Sequence, residues 1–254
     1  MPSPAARERV PERAGEGGIA SINLGADAAT LTLTLALSRE AGEGTIAKLD
    51  LIHLDDAFVI VDKPSGLLSV PGRGPDKQDC LSARVQAEFS DALVVHRLDM
   101  ETSGLMVFAR GIDAQRAISR AFERRAVSKY YEAITYGLIE DDAGTIDLPL
   151  ICDWPNRPRQ MVDHTIGKSA TTHFAVISRD ALTLRTRVRL TPVTGRSHQL
   201  RVHLASLGHP IIGDSLYAPP PLAAGERLML HAAKLGFQHP VSGELREFSS
   251  TVPF

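Results

Sequence analysis

His96-Arg97-Leu98-Asp99-Met100-Glu101-Thr102-Ser103-Gly104-Leu105 decides how this chain is read. Leu93-Val94-Val95 leads into it, and Leu105-Met106-Val107-Phe108-Ala109 leads out. Both runs are short and rich in branched residues, so both are expected as buried strands. The polar turn between them ends in Thr102-Ser103-Gly104, residues that tolerate irregular backbone. A carboxylate on a loop between two core strands is held firmly and can still meet a ligand. Asp99 is that carboxylate. A local role, capping the turn or pairing with Arg97, fits the spacing equally well.

Working outward, Phe58-Val59-Ile60-Val61-Asp62-Lys63-Pro64-Ser65-Gly66 reads as a buried strand stopped by a Lys-Pro-x-Gly turn. Asp79 is placed to cap a short helix running to Glu88, and Asp113 to cap one with Ala114, Ala117, Ile118, Ala121 and Phe122 on one face. Lys129 to Gly137 is a strand carrying Tyr130, Tyr131 and Tyr136. Neighbouring strand residues face opposite ways, so only one of Tyr130 and Tyr131 can line a given site. Cys152-Asp153-Trp154-Pro155-Asn156-Arg157-Pro158-Arg159-Gln160 holds two prolines and the chain's one Trp, and reads as an ordered loop. From Leu182 to Leu190 the pattern alternates, setting Arg185, Arg187 and Arg189 opposite a buried face. Thr194 or Ser197 can cap a following helix that buries Leu200, Leu204 and Leu207, with Arg196 at its mouth.

With 254 residues, one domain is the default. Hydrophobic residues at 43% and charged residues at 23% are ordinary for a soluble protein. No apolar run approaches membrane-spanning length and no signal-peptide core opens the chain, so a cytoplasmic protein without a membrane partner is expected. Cys80 and Cys152 give neither a disulfide framework nor zinc spacing, and His198, His203 and His209 lack the pairing of a helical zinc site. No metal is expected. Net charge is −2, but residues 157–201 carry nine Arg or Lys against two Asp, while residues 132–156 carry six acids and no Lys or Arg. Charge segregated in this way can build one basic face on a neutral protein and steer a polyanion, though cross-strand acids could equally neutralise the arginines. Residues 1–46 are rich in Ala, Gly, Glu and Arg, with only Leu31-Thr32-Leu33-Thr34-Leu35 hinting at a strand. They read as a disordered extension, with order beginning near Ala47.

His-Arg-Leu-Asp-x-x-Thr-Ser-Gly-Leu at 96–105 resembles the catalytic motif of the RluA-type pseudouridine synthases. Lys129-Tyr130-Tyr131-Glu132-Ala133 resembles that family's Lys-x-Tyr-x-Ala phrase, and Gly195-Arg196-Ser197-His198-Gln199-Leu200-Arg201-Val202-His203 its Gly-Arg-x-His-Gln-x-Arg-x-His motif. Gly208-His209-Pro210-Ile211-Ile212-Gly213-Asp214 and Leu230-His231-Ala232 match its later phrases, so the resemblance spans about residues 50–254. It implies an α+β fold, with a mixed, mostly antiparallel central sheet flanked by helices around a cleft. It makes 47–254 the catalytic domain, with no S4-type domain before it.

The implied reaction isomerises uridine to pseudouridine within RNA, with no cofactor. Asp99 is then the nucleophile, at ribose C1′ or uracil C6; a covalent carboxylate step splits one hard reaction into easier ones. Arg196 pairs with Asp99, and Tyr131 holds the extruded base and assists proton removal from C5. His96, Arg97, Arg157, Arg159, Arg185, Arg187, Arg189 and Arg201 form the expected RNA-binding set. The implied partners are an rRNA hairpin of the large subunit and a tRNA anticodon stem-loop; a compact single domain makes a monomer the default. A family member with another rRNA or tRNA target is the nearest alternative. From other classes, a nucleoside or glycoside hydrolase could use Asp99 with Glu101, and a non-catalytic RNA-binding module would keep the arginines without needing Asp99.

Overall fold

The computed structural model describes residues 49–224 and 227–254. The extension expected over 1–46, its Leu31–Leu35 alternation and the start of order at Ala47 lie outside the described residues. Within them the chain runs β1 (Asp50–Leu54), β2 (Phe58–Lys63), α1 (Leu81–Glu88), β3 (Ala92–Val94), β4 (Ser103–Arg110), α2 (Ile112–Glu123) and β5 (Ser128–Tyr136). There follow β6 (Ala143–Asp147), β7 (Leu150–Cys152), β8 (Gln160–Val162), β9 (Thr171–Asp180), β10 (Arg185–Pro192), α3 (Gln199–Ser206), β11 (Leu230–Gln238) and β12 (Leu245–Ser249).

Among the described residues ten strands form one sheet in the order β1-β2-β4-β11-β5-β10-β9-β6, with β3 added on β4 and β12 on β11, while β7 and β8 make a separate hairpin. β4 pairs parallel with β11; the other pairings are antiparallel. The fold is therefore α+β on a mixed, mostly antiparallel sheet, as the sequence implied.

β2 and β4 are apolar almost without interruption because both of their faces are covered. Phe58, Ile60, Leu105 and Val107 pack on Ala114 and Ile118 of α2. On the other face Val59, Val61, Met106 and Phe108 pack on Leu81 and Val85 of α1. A third cluster joins Leu200 and Leu204 of α3 to Ala133 of β5 and to Val188 and Leu190 of β10. Tyr131 borders both the α1 cluster and the α3 cluster, so it marks the seam between them.

Local chemistry moves several boundaries from their expected places. The strand expected from Leu182 begins at Arg185, because Asp180 accepts the amides of Leu182 and Thr183 and turns the chain. Leu182 is left 97% exposed. α1 starts after Cys80, and Asp79 instead grips Arg84 with both carboxylate oxygens. α2 starts after Gly111, with Asp113 in its first turn. α3 starts from His198 at φ 53°; neither Thr194 nor Ser197 caps it, since Thr194 donates to the Gln199 side chain at 2.7 Å. Leu207 lies past the helix and is exposed.

Candidate active site

The loop from Val95 to Thr102 joins β3 to β4, so Asp99 does hang between two core strands. Its neighbours hold it from below. Leu98 is buried in the α1 cluster, and Ser69 hydrogen-bonds both its carbonyl (2.6 Å) and its amide (3.1 Å). Lys63, fully buried, donates to the carbonyls of Pro64, Leu67 and Met100 at 2.7–2.9 Å. Burial brings its ammonium down to about 8, opposed by the nearby Glu101 and Asp99. Gly66 donates to Met100 O and Ser65 to Glu101 O, so with Lys63 three residues of the Lys-Pro-x-Gly turn clamp one side of the loop. At the exit, Gly104 has φ +114°, and a Cβ there would meet the backbone of Ala232 at 2.4–2.8 Å. Only glycine lets β4 approach β11 this closely.

Asp99 keeps 28% of its side chain exposed. Arg201 Nη1 lies 3.5 Å from its Oδ2, and His198 Nε2 lies 3.9 Å from its Oδ1. The arginine paired with Asp99 is thus Arg201, which corrects the pairing with Arg196. Position in the helix explains the difference. Arg201 lies in the first turn of α3, whose first six residues are all buried, and its side chain is only 3% exposed. Asp214, fully buried, takes two 2.7 Å bonds from Arg201 and so fixes the guanidinium. Arg196 precedes the helix, is exposed, and gives its Nε–H to Ser169 O at 3.1 Å.

His198 extends the arrangement outward. Tyr217 Oη accepts the Gln160 amide at 2.7 Å and lies 2.7 Å from His198 Nδ1. The hydroxyl hydrogen is therefore free for Nδ1, which leaves the ring proton on Nε2, facing Asp99. Burial lowers the His198 pKa against the pull of Asp99, which favours this neutral ring. His203 and His209 go elsewhere, to Thr172 and Leu148 and to the Tyr136 carbonyl.

Asp99, Arg97, Tyr131, Arg196, His198 and Arg201 line one cleft of about 110 Å³. Of the tyrosine pair, Tyr131 faces it and Tyr130 points away. Burial, reinforced by Asp99, pushes the Tyr131 phenol above its ordinary value. It stays protonated and suits stacking; the expected help with proton removal from C5 could not come from a phenolate here. A larger cavity of about 460 Å³ opens beside Lys63, Ser103, Arg227 and His231, but Asp99 does not line it.

The remaining sequence-derived residues divide. His96 is not at the surface contact expected of it: its ring stacks on Phe122 at 4.7 Å, and its Nε2 accepts the Val107 amide at 3.0 Å. Burial, aided by Lys129, drives it down to about 3 and keeps it neutral. Arg157 and Arg159 lie on the β7–β8 loop, and Arg159 sits 5.4 Å from the Tyr217 ring, next to the cleft. Arg185, Arg187 and Arg189 are not brought to Asp99. Leu190 stands opposite Tyr131 in the β5–β10 ladder, so the alternate residues Arg185, Arg187 and Arg189 take the other face of the sheet. There Arg187 bonds Glu132 at 2.8 Å, and Arg189 lies 4.7 Å over Tyr130. The sequence reading missed Asp214, Tyr217 and Lys63. Gly213-Asp214 and Lys63-Pro64 were visible as phrases, but nothing local marked Tyr217.

A family model described as RNA pseudouridylate synthase matches residues 57–206. The dual-specificity RNA pseudouridine synthase RluA of Pasteurella multocida is 49% identical over 207 residues, covering 81% of this chain and 94% of the relative. The same-named protein of Escherichia coli is 46% identical over 207 residues with the same coverage. Among solved structures, human RNA pseudouridylate synthase domain containing 1 superposes with a TM-score of 0.70 at 28% identity, over 84% of this chain and 87% of that one.

Proposed function

The chain belongs to the RNA pseudouridylate synthase family, and from that premise we propose that it modifies two structured RNAs, a large-subunit rRNA hairpin and a tRNA anticodon stem-loop. The activity is an isomerisation. The N1–C1′ bond of uridine breaks, the uracil turns, and C5 bonds to C1′; a proton leaves C5 and N1 gains one. Asp99 is the nucleophile, held between Arg201 and His198. Arg201, fixed by Asp214, stabilises negative charge on Asp99 whenever the carboxylate is released. Tyr131 stacks on the extruded uracil, and exposed Arg97 fills the gap left in the RNA. Extrusion costs a few kcal/mol, least in an unpaired loop, which favours stem-loop substrates. Residues 47–254 carry this activity, as a monomer in the cytoplasm.

The observation that carries the reading is the partly exposed Asp99 carboxylate beside a buried, doubly anchored arginine in the cleft that Tyr131 lines. The dual target draws on the names of relatives near 50% identity. Stem-loop RNA labelled with tritium at uracil C5 tests the chemistry, because forming the C5–C1′ bond releases the label. Asp99→Asn should abolish release while retaining RNA binding, since an amide keeps the shape and loses the nucleophile. Release within tenfold of the parent would remove Asp99 from this role. Mapping pseudouridine in rRNA and tRNA from cells lacking the gene tests the targets; loss from only one RNA class refutes dual specificity.

A further inference from the structure

Trp154 is the only tryptophan of the chain, and 66% of it is exposed. Large aromatics are normally drawn inward, so an indole held in water needs a reason. The loop that carries it is well fastened. Asp153 N donates to Arg159 O at 3.0 Å, Asn156 N to Asp153 O at 3.1 Å, and Arg159 N to Asn156 O at 3.1 Å. The Asn156 side-chain amide also bonds the Asp153 carboxylate at 3.0–3.1 Å. A loop cross-braced in this way presents its tip in one fixed geometry.

The chemistry of the tip is specific. The Arg157 guanidinium lies 4.6 Å over the indole ring, leaving the exposed remainder to receive another planar group. Residues 154–159 are all exposed, and the other side chains there are two prolines, an asparagine and two arginines. The residues beside Trp154 in the loop, 155–159, add no large apolar side chain of the kind a folded protein partner would cover. An aromatic face with adjacent guanidinium groups suits unpaired nucleic acid, where bases stack and phosphates pair with arginine.

The tip also stands in a defined relation to the nucleophile. At the base of the loop, Gln160 N–H donates to Tyr217 Oη, and Tyr217 bonds the His198 ring whose Nε2 is 3.9 Å from Asp99. Arg159 covers the Tyr217 ring at 5.4 Å. The loop that carries Trp154 is therefore tied at its base to the wall of the Asp99 cleft.

We propose that Trp154, backed by Arg157, is a stacking platform for an unpaired base of the substrate loop other than the uridine that enters the cleft. This rests on the reading of the chain as an enzyme acting on stem-loop RNA. Such a platform selects for loops that can splay a second base, whatever its identity, because every base has a face to stack.

The single tryptophan makes the test direct. The full-length protein is titrated with an anticodon stem-loop transcript, and with a fully paired duplex of equal length, while Trp fluorescence and gel-shift binding are followed together. Stacking predicts quenching by the stem-loop that saturates with binding, and little quenching by the duplex. Trp154→Ala should raise Kd roughly tenfold to a hundredfold, the effect of losing one base–aromatic stack, and Trp154→Phe should recover most of it. Arg157→Gln should weaken binding less and flatten the salt dependence by about one unit. Fluorescence unmoved at saturating RNA, or parent-like affinity in folded Trp154→Ala, overturns the proposal and leaves the loop to some other macromolecule. Tritium release by the parent protein is scored separately. Release without quenching sinks the platform alone, whereas quenching without release would sink the reading of function and leave the platform standing.

Discussion

Asp214 holds Arg201 by two parallel 2.7 Å hydrogen bonds, from Nε to Oδ2 and from Nη2 to Oδ1. Its Oδ1 also accepts the amides of Leu216 and Tyr217. Arg201 is thereby committed along one edge, and the nitrogen left over, Nη1, is the one that reaches Asp99 at 3.5 Å. The geometry around Asp99 is set by a carboxylate that does not touch it.

Asp214→Ala should therefore damage stability and catalysis together. It strands a buried guanidinium, and breaking one side of a buried pair typically costs about 3–5 kcal/mol. Asp214→Asn keeps the acceptor shape and should unfold less readily in urea, yet turn over more slowly than the parent. Parent-like stability in Asp214→Ala would show that the pair contributes little.

The two arginines of the Gly195–His203 phrase should separate kinetically. Arg201→Gln should lower kcat at least a hundredfold, because one charged donor at a reacting group is commonly worth that much. Arg196→Gln should act mainly on KM, since its guanidinium is exposed and bonded to Ser169 O. A collapse of kcat in Arg196→Gln alone would restore the pairing that the sequence suggested.

Substituting Gln at Arg185, Arg187 and Arg189 together should lower the melting temperature by several degrees. The Arg187–Glu132 pair is only partly exposed and Arg189 covers Tyr130, so the loss is roughly 1–3 kcal/mol. The slope of log K against log salt for stem-loop binding should match the parent, because these side chains leave the sheet on the face opposite Tyr131. A slope flattened by two or three units would put RNA on that face as well.

Stability should fall on mild acidification. His96 stays neutral in the folded protein down to about 3 and His231 to about 4, burial being the main cause in both. Lys129 adds to the effect at His96; Arg227 adds to it at His231, where Glu132 opposes. An unfolded chain takes up these protons near 6.5, so below that pH the unfolded state binds more protons than the folded one. The stabilising contribution is full above 6.5 and shrinks as pH drops toward 4, by about 1.4 kcal/mol per pH unit for His96. Urea unfolding at several pH values checks this, and His96→Asn should show a shallower dependence than the parent. Equal dependence in both would mean that His96 titrates normally when folded.

The strands around Asp99 were legible because apolar runs bounded by turn residues leave few alternatives, and β2 and β4 lie where the runs put them. Tyr131 was legible from strand alternation together with the motif. The partner of Asp99 was not. Arg196 and Arg201 are five residues apart, and which one turns inward depends on where α3 begins, which an atypical start at His198 decides. Asp214 and Tyr217 act across more than a dozen residues of chain, through contacts that no local spacing records. The arginine alternation was read correctly as a stripe. What faced it across the ladder, Glu132 and Tyr130, depended on strand order and register.

The Lys63 ammonium, with its three carbonyl partners, and the Gly104–Ala232 contact leave the Asp99 loop little slack. An enzyme built stiff at this point cannot meet its substrate halfway, so the distortion of reaction falls on the RNA. Discrimination then operates on the mechanical compliance of the target as much as on its letters. Across a series of stem-loops that share the same sequence around the uridine, rates should rank by how cheaply each loop opens, and a stiff loop should be refused even when every contacted base is correct.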